Sequence, residues 1–406
     1  MRILIVSQYF APERTASSLR LDPLARGLAA AGHEVEVLAQ VPSHPEGVVH
    51  PGYGRGWILR RSRDGFSIVH LRTWASTSKR APHRIGSYAS YALAAGVLGS
   101  LRRKPDVIFA SSPPLPVGLV GATLAARYRV PWVFDVRDLW PEVAVALGEV
   151  RRPNVVKLLR RLELYLYRSA AAITVPTEAF RTTIHARVPD AEIELLPNGT
   201  TRAWIDAGRE PPTKEALGLA SGSFLWTYAG NVGLSQDLET AVAAADQLGD
   251  GYELLILGHG ASRPRLELLA KRLCRARVQF RDAVPPDVAA EFMAASDALL
   301  VPLSDNPTLE KTVPVKLYDA CAVGRPVILA AAGESRSLAA RYGAAEWVPP
   351  SDPGALVAAL RRVATSEPLR QRLVEGGQRL AVESLREDQV AVLDNLLRSV
   401  AGQAGQ

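Results

Sequence analysis

Cysteine is almost absent: only Cys274 and Cys321 occur in 406 residues, with no CxxC pair. A disulfide framework or cysteine-built zinc site is therefore excluded, and a reducing compartment is expected. Seven scattered histidines form no HExxH, and no Asp-x-Asp occurs, so neither a fixed metal nor a cofactor is expected. No GxxxxGK[ST] loop is present, which sets aside a P-loop nucleotidase. The nearest dinucleotide fingerprint, Gly258-His-Gly260-Ala-Ser-Arg263, lacks its third glycine and a suitably placed acidic ribose ligand, so a nicotinamide enzyme is disfavoured. Met1–Ser7 (MRILIVS) passes directly into a polar loop, which reads as a first strand rather than a signal peptide. The expected location is cytoplasmic.

What is present is a soluble-protein composition: 48% hydrophobic, 22% charged and a mean hydropathy of +0.03. The length fits two domains. Residues 1–200 carry 26 lysines and arginines against 16 acids, and residues 201–406 carry 22 against 25. The basic excess thus belongs to the first half, which suits either an anionic partner, such as a phospholipid surface, or a merely arginine-rich composition.

Short apolar runs at Ile3–Val6, Val35–Leu38, Ile68–Leu71, Val107–Ala110, Trp132–Val136 and Ile173–Val175 alternate with helix-length segments. That alternation predicts a parallel, doubly wound sheet. It breaks at Leu196–Lys214, around an exposed-looking Trp204, and resumes at Leu225–Ala229, Leu254–Leu257, Val278–Phe280, Ala298–Pro302 and Pro326–Ala330. The reading is α/β: two Rossmann-like domains, 1–205 and 206–385, facing a central cleft. From Asp352, a cap followed by Pro353, the tail reads as helical to about Val400. The segment 386–406 is expected to pack back on the first domain. In such folds ligands bind beyond the carboxyl ends of the strands.

The strongest local signal runs from Glu310 through Lys316 and Asp319 to Gly324 and Pro326 (EKTVPVKLYDACAVGRP). A loop ends at Pro314, and Val315 and Lys316 open a short helix that stops at Gly324. Such a helix start offers backbone N–H groups and a positive dipole end to a phosphate, and Lys316 adds a full charge. Asp319, one turn on, is placed for ribose hydroxyls. An ordinary capped helix with a solvated Lys and Asp is the plainer alternative.

This segment resembles the C-terminal signature of family-four GT-B glycosyltransferases, in which a Pro-x-Lys helix precedes Ala-x-Gly-Lys/Arg-Pro-Val. SQYFAPE (Ser7–Glu13), DVRDLWPE (Asp135–Glu142) and YAGNVG (Tyr228–Gly233) extend the resemblance over nearly the whole chain, toward the branch of O-antigen and colanic acid amino-sugar transferases. The resemblance implies a retaining, metal-independent transfer of a sugar, expected to be an N-acetylated hexose from a UDP-linked donor, to a glycan or polyprenyl-diphosphate-linked acceptor. The family's paired glutamates would fall on Lys311 and Asp319, with Glu310 next to the first position. Where many relatives carry a histidine before the Asp of the first-domain motif, Arg137 stands here before Asp138.

The donor-binding expectation thus comprises Gly230, Asn231, Gly233, Gly258, Gly260, Glu310, Val315, Lys316 and Asp319. His259 and Arg281–Val284 stand nearby. Arg137, Asp138 and Lys316 are the expected catalytic set, with Ala16 and Ser17 in the acceptor-side loop. For the acceptor's carrier, Ile85–Leu101 is flanked by Lys79, Arg80, Arg84 and Arg102–Lys104, and Val155–Tyr167 by Arg151 and Arg152, with Lys157, Arg160 and Arg161 inside it. Each reads either as a core helix or as a basic-flanked interfacial one, peripheral on the cytoplasmic membrane face. Nucleic acid is not an expected partner. A nucleotide-sugar 2-epimerase and a non-catalytic sugar-nucleotide-binding subunit remain the competing readings.

Overall fold

The computed structural model describes residues 1–13, 15–44, 47–54, 56–78, 81–146, 150, 152–273 and 277–403, with the side chains of 16, 81 and 146 outside the description. Lys79, Arg80, Arg151 and Cys274 therefore lie outside the described residues. The chain divides into two compact units, Met1–Pro197 with Arg386–Gln406, and Asn198–Leu385.

The first unit contains β1 (Arg2–Val6), β2 (Glu34–Gln40), β3 (Ile58–Arg63), β4 (Phe66–Leu71), β5 (Val107–Ser112), β6 (Trp132–Val136), β7 (Ala172–Val175) and β8 (Ile193–Leu195). They form one sheet in the order β3-β4-β2-β1-β5-β6-β7-β8. Its helices are α1 (Ala16–Ala30), α2 (Ala81–Gly99), α3 (Pro116–Tyr128), α4 (Glu142–Ala146), α5 (Pro153–Ser169) and α6 (Glu178–His185). Alternate residues of one strand feed opposite faces, as the pleat requires. Leu4 and Val6 join Tyr91 of α2, Leu124 of α3 and Leu166 of α5, while Ile3 and Ile5 meet Leu21 and Leu24 of α1.

The sheet is not wholly parallel, contrary to the sequence expectation. β3 pairs antiparallel with β4 across Asp64-Gly65, both at positive φ (48° and 84°), the geometry of a two-residue hairpin turn. β3 carries mostly exposed, polar residues, so it left no apolar run to read.

The second unit holds β9 (Phe224–Ala229), β10 (Tyr252–Leu257), β11 (Val278–Arg281), β12 (Ala298–Pro302), β13 (Val327–Ala330) and β14 (Glu346–Trp347), ordered β11-β10-β9-β12-β13-β14. All its recorded pairs are parallel. Its α-helices are α7 (Arg202–Arg209), α8 (Leu238–Leu248), α9 (Arg263–Arg272), α10 (Pro286–Ala294), α11 (Val315–Ala322), α12 (Gly333–Tyr342), α13 (Pro353–Thr365) and α14 (Glu367–Glu383), and α15 (Arg386–Gln403) follows.

The boundary expected at 205/206 falls inside α7, and the units divide at 197/198 instead. The segment 196–214, expected to be irregular, contains this helix because Trp204 and Ile205 are partly buried against the second unit's core. Burial decides what the local pattern left open. The Asp352 carboxylate caps α13 by accepting from the Ala355 N–H (2.8 Å). α15 belongs to the first unit, where Leu393, Leu397 and Val400 pack with α1 residues.

Candidate functional site

In the second unit, four loops and helix starts assemble around β9. The turn Gly230–Gly233 follows that central strand, and two main-chain bonds tie it to the loop after β10: Gly230 N to Leu257 O (2.9 Å) and Val232 N to His259 O (2.9 Å). A Cβ on Gly258 would lie 1.9 Å from the Gly230 carbonyl oxygen, and one on Gly260 2.2 Å from that of Val232. These glycines are accounted for by the close approach of the two loops to each other. Arg263 braces the same region, its guanidinium donating to the carbonyls of Gly258 (2.9 Å) and Arg281 (3.1 Å). His259 is exposed. Arg281 is turned to structure: it donates to the carbonyls of Leu217 and Gly218 (3.0 and 2.8 Å) and lies over the Phe292 ring.

Pro314 begins α11, so Lys316 sits in its first turn. The Lys316 amine donates to the Tyr228 hydroxyl (2.6 Å) and lies 4.4 Å from the centre of that ring. A Cβ on Gly230 would stand 3.1 Å from Lys316 Nζ. Lys316 and the β9 turn are thus brought together across 86 residues of sequence. Burial pushes the Lys316 amine down to about 7, because an ammonium loses hydration there. It is half-buried, so it stays within reach of a ligand.

Asp319, one turn further, accepts from the Thr200 hydroxyl (2.9 Å), and the Asn198 side-chain amide donates to the Val313 carbonyl (2.9 Å). The PNG segment read as linker is therefore fastened onto α11 and its approach loop. Glu310 contributes its carbonyl to the Glu334 N–H at the start of α12 (2.7 Å), and the Ser335 hydroxyl donates to the Thr312 carbonyl (2.8 Å). These bonds pin the main chain bearing Glu310 and Lys311. A depression of about 550 Å³ beside this region is lined by Leu234, Asp237, Glu239 and Asp305. Its acids suit a diphosphate poorly.

In the first unit, the three acids of DVRDLWPE separate by environment. Asp135 is fully buried and accepts from Arg20 (2.7 Å), Ser111 (2.6 Å) and Thr174 (2.8 Å). Arg20 also donates to the Leu196 carbonyl (2.7 Å). Glu142 accepts from Arg187 (2.7 Å), which also pairs with the buried Glu163. Only Asp138 has no recorded hydrogen bond to its carboxylate among the described residues. Burial raises it to about 6, against the opposing pull of Arg137.

Arg137 donates to the Ser17 hydroxyl (3.0 Å), so two residues expected at the site meet. Burial first, then Arg20, lowers the Arg137 guanidinium to about 10. Ser17 lies in the first turn of α1, which Thr15 and Ser18 cap reciprocally (3.1 and 3.0 Å). Ala16 opens that helix, its side chain outside the described residues.

Sequence reasoning passed over Tyr228, Thr200, Asn198 and Glu13. Glu13 is buried, and its carboxylate accepts from the Ser43 and His44 N–H groups (2.8 and 2.9 Å) and from Gln40 (3.1 Å), joining the loops after β1 and β2. Tyr228 and Glu13 stood inside quoted motifs. Nothing in a single sequence separates such packing partners from ligand contacts.

With this geometry in hand, two family profiles match in series: a glycosyl transferase 4-like domain over residues 17–199 and glycosyl transferases group 1 over 210–380. The chain is 25% identical over 382 residues to a putative colanic acid biosynthesis glycosyl transferase, WcaI, of Escherichia coli K12, covering 89% of this chain and 92% of that one. It is 24% identical to a probable glycosyltransferase, WbjE, of Pseudomonas aeruginosa, over 64% and 66% of the two chains. Among solved structures, a sucrose-phosphate synthase of Thermosynechococcus elongatus superposes with a TM-score of 0.79 at 18% identity, covering 99% of each chain. The Anabaena protein HepE, in complex with UDP and glucose, gives 0.71 at 15% identity, over 98% and 99%. These relatives lend the epimerase reading no support. The chain belongs to the family-four glycosyltransferases of the GT-B fold.

Proposed function

We propose that this glycosyltransferase takes a UDP-linked sugar, an N-acetylated hexose, and passes it with retention of anomeric configuration to a glycan or polyprenyl-diphosphate-linked acceptor in surface polysaccharide synthesis. The observation that carries the donor side is the convergence of Lys316, the N-terminus of α11 and the Gly230–Gly233 turn in one unit. A cation, a positive dipole end and close main chain suit a nucleoside diphosphate. Within this reading Gly230, Asn231, Gly233, Gly258, Gly260 and Val315 offer main chain to the diphosphate, Asp319 meets the ribose, and Glu310 meets the sugar. The choice of UDP and of polysaccharide synthesis draws support from HepE with UDP-glucose and from WcaI, named for colanic acid biosynthesis.

In the proposed reaction the acceptor hydroxyl attacks the anomeric carbon on the face from which the diphosphate departs. Its proton passes to the leaving phosphate oxygen. Lys316 and α11 meet the charge developing on that oxygen, so no metal is called on. Asp138, with Arg137, orients the acceptor and sugar, and Ala16 and Ser17 line the acceptor-side loop.

The lipid side rests on a second observation. α2, α3 and α5 share one face of the first unit's sheet. They leave Ile85, Leu93, Val97, Leu119, Leu158 and Tyr165 exposed. Neither α2 nor α3 contains an acidic residue, and the single one of α5, Glu163, is buried and paired. Apolar side chains among Arg103, Lys104, Lys157, Arg160 and Arg161 suit an anionic lipid surface, and we place the enzyme peripherally on the cytoplasmic face of the membrane. Among the described residues, no helix is long and apolar enough to cross a membrane.

The test is thermal unfolding of the purified chain with UDP, GDP, ADP and NAD in turn, followed by product analysis with the UDP-sugar and a lipid diphosphate acceptor. Stabilisation by UDP alone and a retained anomeric centre in the product are expected. Stabilisation by NAD alone would overturn the reading.

A further inference from the structure

The donor-side geometry raises a question about a side chain that the proposed chemistry does not itself use. Tyr228 is fully buried on the central strand β9, within the core that also holds Trp226. Phenylalanine would fill the same volume, so the hydroxyl calls for its own account. That hydroxyl is engaged on both sides: it donates to the Asn231 carbonyl (2.5 Å) and accepts from Lys316 Nζ (2.6 Å). A buried hydroxyl left unsatisfied would cost stability, and here both of its roles are spent on the candidate donor site.

From the lysine's side the arrangement is directional. An ammonium has three N–H donors, and the Tyr228 hydroxyl is the only hydrogen-bond partner recorded for Lys316 Nζ among the described residues. Two donors remain. Gly230, next to the amine, bears no side chain, and a Cβ there would stand 3.1 Å from Nζ and 3.3 Å from the Tyr228 oxygen. Tyr228 thus holds the amine from behind, and the bare main chain of Gly230 leaves its neighbourhood open. The carbonyl at the other end of the chain of bonds, that of Asn231, lies inside the same turn.

We propose that Tyr228 is a positioning residue for donor binding: its hydroxyl fixes the Lys316 amine beside Gly230 with two N–H donors left for the diphosphate, and ties that amine to the turn through Asn231. This rests on the donor-site reading above. The bond to Tyr228 also favours the charged amine against the burial that disfavours it, so the hydroxyl supports the state in which Lys316 attracts an anion.

The experiment is a double-mutant cycle on the full chain, with Tyr228→Phe, Lys316→Ala and the double variant. Dissociation constants are measured by calorimetry between pH 6 and 9, for whichever of UDP, GDP and ADP binds wild type most tightly. Tyr228→Phe is expected to weaken that nucleotide about tenfold near pH 7, an effect of about 1.4 kcal/mol, and to move the alkaline midpoint of binding down by about one pH unit. In the Lys316→Ala background the same change should cost nothing further, since coupled residues are non-additive. If Tyr228→Phe lowered the unfolding temperature but left affinity and midpoint unchanged, Tyr228 would be packing only and this inference would be overturned, with the donor site intact. An equal loss in both backgrounds would overturn it too. If Lys316→Ala itself left nucleotide affinity unchanged, the placement of the donor would fail, and this inference with it.

Discussion

The two units treat buried charge in opposite ways. In the first, Arg20 and Asp135 are both fully buried and turned on protein partners: the carboxylate accepts from Arg20, Ser111 and Thr174, and the guanidinium donates to that carboxylate and to the Leu196 carbonyl. In the second, Lys316 has a neutral phenol for its partner, and its pKa falls through burial alone. A fully buried ion pair fixes structure and lies out of a ligand's reach. A cation held by a neutral hydroxyl retains its attraction for an anion. The same contrast recurs within one motif, where Asp135 and Glu142 are committed to arginines and Asp138 is not.

The largest effect should come from breaking the committed pair. Arg20→Met leaves the Asp135 charge buried without its counter-ion and should cost about 3–5 kcal/mol of first-unit stability, read as a fall in the denaturant midpoint. The second unit does not contain this pair, so nucleotide binding by the protein that remains folded should be unchanged.

Lys316→Ala should lower kcat/KM by roughly 10²–10³ and abolish stabilisation by UDP. Its effect on the free protein should have the opposite sign. The folded pKa of Lys316, about 7, lies below the ordinary lysine value of 10.5, so between these values the unfolded chain binds more protons and stability rises with pH. At pH 7 burial of the amine still opposes folding, and Lys316→Met should unfold at the same temperature as wild type or higher. A clear loss of stability would erase the contrast between the two units.

Asp138→Asn should reduce kcat by about 10–100-fold with UDP-induced stabilisation retained. With its carboxyl raised to about 6, wild-type activity should grow as pH rises through that value, and the variant should lose this limb. The smallest effect belongs to the exposed surface: Lys157→Ala should lower partition onto vesicles containing anionic lipid about fivefold, at about 1 kcal/mol per basic residue, with turnover on a soluble acceptor unaltered.

Much of this architecture was legible because it follows from periodicity. Apolar runs of strand length between helical segments locate both parallel sheets, and the Asp352-Pro353 start of α13 is a local signal. β3 escaped because its residues are polar and exposed, and α7 because its helix rests on the burial of Trp204 and Ile205. The glycines of the β9 and β10 loops were legible as places of close approach. That the approaching group is the neighbouring loop could not be read from spacing, since Gly230 and Gly258 meet only when β9 and β10 pair.

By itself the sequence determined the two-sheet α/β class, the family, the helix start at Pro314 with Lys316 in its first turn, and the charge imbalance between the halves. Each is a property of neighbouring residues or of composition. Only the tertiary structure decided which charged side chains are spent and which are free to act. It alone joined Lys316 to Tyr228, Arg137 to Ser17 and Asp135 to Arg20, and it assigned α15 to the first unit. The physical reason is that a side chain's charge, hydration and available donors are set by whatever folding brings within about 3 Å of it, and those partners stand tens to hundreds of residues away in the chain.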